Sequence, residues 1–141
     1  MGSNKQSMTD FIRVTDKFYV APQITLEDVA RAAQEGFTLL INNRPDFEAA
    51  GQPTYAEVEA AATAARLYCA HIPVIGAPTA RQAEALHECL EANARVLAFC
   101  RSGTRSINTW AMGELMAGSR PKDEIIALGD AAGYDLRPVC G

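Results

Sequence analysis

The sequence lacks an apolar run approaching the roughly 18 residues that a membrane span needs, and so gives no sign of a membrane partner. It has no block of basic residues and no interleaving of basic and aromatic side chains. With a net charge of −4, this argues against a nucleic-acid partner. It has no CxxC pair. Its four cysteines, Cys69, Cys89, Cys100 and Cys140, are irregularly spaced, which excludes a zinc ribbon and does not suggest a disulfide framework. Cys69 and His71 fall on one face of a strand, yet two such groups serve packing more often than metal binding. His87 and Cys89 stand two apart on a helix and do not face each other. No metal and no cofactor are therefore expected. Internal repeats, low-complexity tracts and linkers are also missing. The start, Met1 to Ser7, is polar and lacks the apolar segment of a signal peptide. Residues 1–7 read as a cloning remnant or disordered start, residues 8–141 as a single domain, and the cytoplasm as its location.

What is present is an ordinary globular composition, 48% hydrophobic and 21% charged over 141 residues. Phe11-Ile-Arg-Val and Lys17-Phe-Tyr-Val-Ala read as an edge hairpin about Thr15-Asp16, ended by Pro22. Thr25 caps a helix whose stripe is Leu26, Val29, Ala30 and Ala33, closed by Gly36. Phe37-Thr-Leu-Leu-Ile reads as a strand buried on both faces. Thr54 with Glu57, and Thr79 with Gln82, form capping-box patterns for two further helices. Tyr55, Val58, Ala62 and Ala65 mark the buried side of the first, and Ala83, Leu86 and Leu90 that of the second. Tyr68-Cys-Ala-His-Ile and Val96-Leu-Ala-Phe supply the remaining strands. A helix burying Ile107, Trp110, Ala111 and Leu115 follows, then a last one from Pro121 to Gly133. The alternation predicts an α/β fold of three layers, a largely parallel sheet flanked by helices. Ligands of such sheets bind beyond the carboxyl ends of the strands. That rim would gather the loops Asn42–Pro53, Pro73–Pro78 and Cys100–Arg105.

The stretch Phe99-Cys100-Arg101-Ser102-Gly103-Thr104-Arg105-Ser106 carries the chemistry. Strand, tight loop and helix start form an anion site, because backbone N–H groups point inward and the helix dipole favours negative charge. A cysteine at its mouth is expected as a stabilised thiolate, hence a nucleophile. Arg105 adds a planar fork of donors for an oxyanion. Gly103 permits a backbone that a side chain would block. Ser106 is placed to donate to the sulfur. A free cysteine at a strand end is commonly a core residue, but that leaves two arginines, a glycine and two serines beside it unexplained. For Cys69, Cys89 and Cys140 the packing reading holds.

Two resemblances follow from these residues. The loop, a cysteine, four residues and an arginine, resembles that of rhodanese sulfurtransferases. From about Phe11 to Leu136 the chain resembles the phosphatase-like domain of beta-lactamase-hydrolase-like proteins, on Asn42-Asn-Arg-Pro-Asp46, His71-Ile-Pro-Val and the cysteine loop. This family resemblance implies a compact cysteine phosphatase-like architecture and either sulfur transfer or phosphate ester hydrolysis. Against the phosphatase signature, Phe99 stands where a histidine would precede the cysteine, and four rather than five residues separate Cys100 from Arg105. One residue fewer shortens the loop by about 3.8 Å of chain and removes an inward amide. The Val74–Thr79 segment also holds no acid, whereas similar phosphatases place an aspartate there. Asp46 or Glu48 would have to protonate an ester oxygen.

The sequence thus favours a cysteine-dependent sulfurtransferase working through a Cys100 persulfide, with a small oxyanion or persulfide as donor and a thiol as acceptor. A phosphatase with a cysteinyl-phosphate and Asp46 as acid is the alternative, with a phosphoprotein among its substrates. A non-catalytic anion- or partner-binding protein is the third reading. Cys100, Arg105 and Asp46 are the catalytic candidates. Arg101, Ser102, Gly103, Thr104, Ser106 and Arg44 are the substrate-binding candidates. Arg44 could equally brace the loop or pair with a carboxylate, and Asp46 could be a turn residue. The oligomeric state is open.

Overall fold

The computed structural model describes residues 9–141; the expected start over residues 1–7 lies outside the described residues. Five strands, β1 (Ile12–Arg13), β2 (Phe18–Ala21), β3 (Leu39–Asn42), β4 (Tyr68–His71) and β5 (Val96–Phe99), form one sheet in the order β1-β2-β5-β3-β4. Only the β1–β2 pair is antiparallel. Its turn is stitched by Thr15 Oγ1, which accepts the Lys17 and Phe18 N–H groups at 3.2 and 3.0 Å.

Three helices start from threonine caps. Capping boxes at Thr25, Thr54 and Thr79 open α1 (Leu26–Gln34), α2 (Tyr55–Ala64) and α3 (Ala80–Ala92). Each box satisfies orphan amides that would otherwise fray the first turn. α4 (Thr104–Ala117) follows the cysteine loop. α5 (Lys122–Ala132) ends on Gly133, whose φ of +93° suits a residue without Cβ. A short α6 (Arg137–Cys140) closes the chain and was not expected from the sequence.

Alternating strand residues fill two cores. Val20, Ile41 and Ala98 face Leu86, Ile107, Trp110 and Ile125, whereas Leu40, Leu97 and Phe99 face Val29, Ala32, Val58 and Ala62. Helices α3 to α6 thus cover one face and α1 and α2 the other, which gives the three layers. Trp110 stacks on Phe18 with centroids 5.7 Å apart. Burying such side chains is worth about 1.5–3 kcal/mol each.

The expected stripe of α1 is wrong in phase. Asp28, Val29 and Ala32 are buried, Ala33 is half-buried, and Leu26 and Ala30 face outward. Several alanines blur the periodicity, and Asp28 turns inward because its carboxylate caps the Thr25 N–H at 2.9 Å. β4 is an edge strand and only half-buried. The register places Ala21, Phe99, Asn42 and His71 side by side. Four parallel strands therefore end level, and the loops that follow share one rim.

Candidate active site

Cys100 is the first residue beyond β5. Its N–H still bonds to Ala21 O, at 3.4 Å. The chain then folds back so that the Gly103 N–H donates to Cys100 Sγ at 3.1 Å. Gly103 has φ +90°, a conformation that favours glycine, and a Cβ there would lie 2.2 Å from Tyr134 Oη and push the phenol off the loop. The loop is held from outside: Gln23 N–H donates to Arg101 O at 3.2 Å and Tyr134 Oη to Ser102 O at 2.9 Å. α4 begins without a side-chain cap, which leaves its N-terminal dipole facing the loop. Burial, with the charge of Cys100 adding to it, raises the pKa of the Tyr134 phenol.

Arg105 leaves the first turn of α4 and lies across the rim. Its Nη1 and Nη2 grip Glu48 at 2.8 and 2.9 Å, and Nη1 also donates to Val74 O at 2.8 Å. Arg44 reaches the same carboxylate, with Nε 2.9 Å from Glu48 Oε1, while its Nη1 donates to Gln23 Oε1 at 3.0 Å. It therefore both braces the rim and pairs with a carboxylate. The Arg105 guanidinium, with help from Arg44, holds the Glu48 carboxyl down to about 2. Glu48 in turn raises the pKa of Arg105. Arg44, Glu48, Ala49, Arg101 and Arg105 line a cleft of about 430 Å³. Three guanidinium groups against one carboxylate make it an electropositive place on an acidic chain.

Asp46 is two residues from Glu48 and is used differently. Its Oδ1 accepts the Tyr55 N–H at 2.8 Å, at the start of α2. Neither Asp46 nor the fully buried Cys100 lines the cleft, which lies over the cysteine loop at Arg101 and Arg105. Ser106 is fully buried, and its one hydroxyl proton goes to Asn43 Oδ1 at 2.8 Å, not to the sulfur. Asn43 Nδ2 donates to Ile72 O at 2.8 Å, which fixes that amide's orientation. The hydrogen bond on Cys100 Sγ comes from Gly103 instead. Ser102 and Thr104 are exposed at the mouth, their hydroxyls 3.0 Å apart. His71 stacks on Tyr55 at 4.4 Å and bonds to Arg44 O at 3.1 Å, so the histidine supports the Arg44 loop. Burial pushes the Cys69, Cys89 and Cys140 thiols up.

Sequence reasoning did not single out Gln23, Asn43 or Tyr134, which hold the loop and the start of α4 from three other connecting segments. Only a glutamine behind Pro22 and an asparagine at a strand end were available as signals. No described helix is long and apolar enough to cross a membrane.

The chain matches the model of the beta-lactamase hydrolase-like protein, phosphatase-like domain, over residues 10–117. It is 33% identical over 128 residues to the beta-lactamase hydrolase-like protein of Agrobacterium fabrum, covering 89% of this chain and 30% of that protein. The chain thus spans under a third of the length of the curated relatives it matches. Among solved structures, a protein of Neisseria meningitidis Z2491 provisionally named a phosphatase is 31% identical, with a TM-score of 0.79 over 92% of this chain and 93% of its own. Kinase associated phosphatase, with its catalytic cysteine replaced by serine, is 12% identical and shares the fold, with a TM-score of 0.71 over 94% and 89%. A nucleophile loop at the end of the central strand of a cysteine-phosphatase sheet, together with these matches, means that the chain belongs to the family of phosphatase-like domains of beta-lactamase hydrolase-like proteins and is a cysteine-nucleophile enzyme.

Proposed function

We propose that the protein is a sulfurtransferase that carries a sulfane sulfur on Cys100. The observation that supports this most is the state of its two nearby carboxylates. Glu48 is ionised and clamped between Arg105 and Arg44, and Asp46 is bonded to the α2 backbone. Neither offers a proton to a leaving group. An ester oxygen departing without a general acid forfeits about 10²–10⁴-fold in rate, or about 3–5 kcal/mol. Sulfite or a thiolate leaves without that help.

In the first half-reaction the Cys100 thiolate attacks the outer sulfur of thiosulfate. A new S–S bond forms, the S–S bond to the sulfonate sulfur breaks, and sulfite departs with the bonding pair. The Gly103 amide and the start of α4 hold the resulting persulfide anion. Arg105 and Arg101 attract and orient the dianionic donor, and Ser102 and Thr104 offer hydroxyls at the mouth. Arg44 keeps Glu48 in place. In the second half-reaction a thiolate acceptor attacks the outer sulfur and Cys100 leaves as thiolate. Four unpaired cysteines suit work in a reducing cytoplasm.

Phosphate monoester hydrolysis is the second reading. The phosphatase fold of the relatives and the cationic cleft favour it, with Asp46 as acid after leaving Tyr55. A paired assay tests the choice, with thiosulfate and cyanide on one side and an aryl phosphate on the other. Thiocyanate formation lost in Cys100→Ser supports the first reading. Brisk aryl phosphate turnover that collapses in Asp46→Asn supports the second.

A further inference from the structure

A groove of about 440 Å³ adjoins the cationic cleft, walled by Gln23, by the start of α1 with Leu26 and Glu27, and by the loop from Ala49 to Pro53. Its volume lies within the range of pockets that hold small organic ligands. Arg44 and Ala49 line both spaces, so groove and cleft meet at the Arg44 side chain. Arg44 is only 5% exposed. Its Nε and Nη1 are held by Glu48 and Gln23, but Nη2 donates to nothing among the described residues and is not enclosed. A fixed guanidinium thus offers a spare N–H at the junction. The Leu26 side chain is left 39% exposed on the groove wall, where the helix periodicity had placed it in the core. Glu27 adds a carboxylate. The Gln23 N–H that holds Arg101 O ties the same wall to the nucleophile loop.

A carrier sulfur needs two substrates in turn, and the donor anion uses the loop itself. We infer that the groove binds the acceptor of the second half-reaction, a small peptide-like thiol with a carboxylate for Arg44, an ammonium for Glu27 and an apolar stem against Leu26. This rests on the sulfur-transfer reading. The acceptor thiolate attacks the outer sulfur of the Cys100 persulfide, a new S–S bond forms on the acceptor, and the bond to Cys100 breaks with its electron pair on Cys100. No oxidant, reductant or proton donor is consumed.

Glutathione carries all three groups and cyanide none, so the two serve as probe acceptors with thiosulfate as donor. Leu26→Trp, which narrows the groove from a surface position, should lower kcat/KM for glutathione by about fivefold or more while cyanide stays within about twofold. Independently, S-methylglutathione, which cannot react, should shift backbone amide resonances of residues 23–27 and 49–52 in Cys100→Ser protein, and Leu26→Trp should abolish the shifts. Equal losses with both acceptors, or no shifts in these segments, would overturn the assignment. Shifts without sulfur transfer by the unaltered protein would remove the sulfur-transfer reading, and with it the acceptor role, while leaving a peptide site. Transfer without shifts would remove the groove alone.

Discussion

Two carboxylates of one loop, with a single residue between them, are used in opposite ways. Asp46 and Glu48 both follow β3, yet Asp46 turns back to the first amide of α2 and Glu48 turns out to the two arginines of the cleft. Between them Phe47 takes φ +65°, a left-handed turn that costs a side-chain-bearing residue roughly 1–2 kcal/mol. The first carboxylate shapes a helix and the second sets a guanidinium. Side-chain type does not assign the role; the nearest unsatisfied donor does. The first amide of α2 claims Asp46, and the Arg105 fork claims Glu48.

Arg105→Ala removes the partner of Glu48 and should have the largest effect. It deletes a guanidinium of the cationic cleft that would orient the donor anion, so sulfur-transfer kcat/KM should fall about 10²–10³-fold while far-ultraviolet dichroism stays that of the parent. Glu48→Gln keeps the shape but weakens the clamp. Arg105 should then wander, and kcat/KM should fall about tenfold, most of it regained in Glu48→Asp if charge matters more than reach. A loss in Asp46→Asn larger than that in Glu48→Gln would reverse the comparison.

Acid titration sharpens the same contrast. Glu48 is held at about 2 in the folded protein against 4.5 ordinarily, so its contribution to stability is complete above about pH 4.5 and is lost as pH falls towards 2. Equilibrium urea unfolding across that window should show a steeper loss for the parent than for Glu48→Gln, which has no carboxyl to protonate there. Parallel curves would mean that the pair contributes nothing. The smallest effect belongs to Asp46→Ala. Losing an acceptor at the α2 start should cost about 1 kcal/mol of stability and leave sulfur transfer within about twofold.

The sequence showed the sheet and helices well because each carries a local signal: three threonine capping boxes, apolar alternation, and Gly133 at a helix end. The α1 phase failed because alanine does not mark a face. α6 failed because its four residues, with Pro138 among them, give no periodicity. At the site, Cys100, Gly103 and Arg105 were legible as neighbours in one loop. Tyr134, which meets Ser102 across 32 residues, and Asn43, which meets Ser106 across 63, were not. Such contacts arise only once the strands end level. Glu48 was visible as an acid, but its role as an ionised clamp depends on Arg44 reaching it from its own loop and Arg105 from the first turn of α4.

The most direct test of the account is intact-protein mass spectrometry after brief exposure to thiosulfate, with peptide mapping of the modified cysteine, run beside the same protein given an aryl phosphate. Stoichiometric gain of one sulfur atom on Cys100, reversed by cyanide, with no cysteinyl-phosphate trapped and slow aryl phosphate turnover, is the predicted result. An unmodified Cys100 in thiosulfate, together with a trapped cysteinyl-phosphate and rapid hydrolysis, would contradict it.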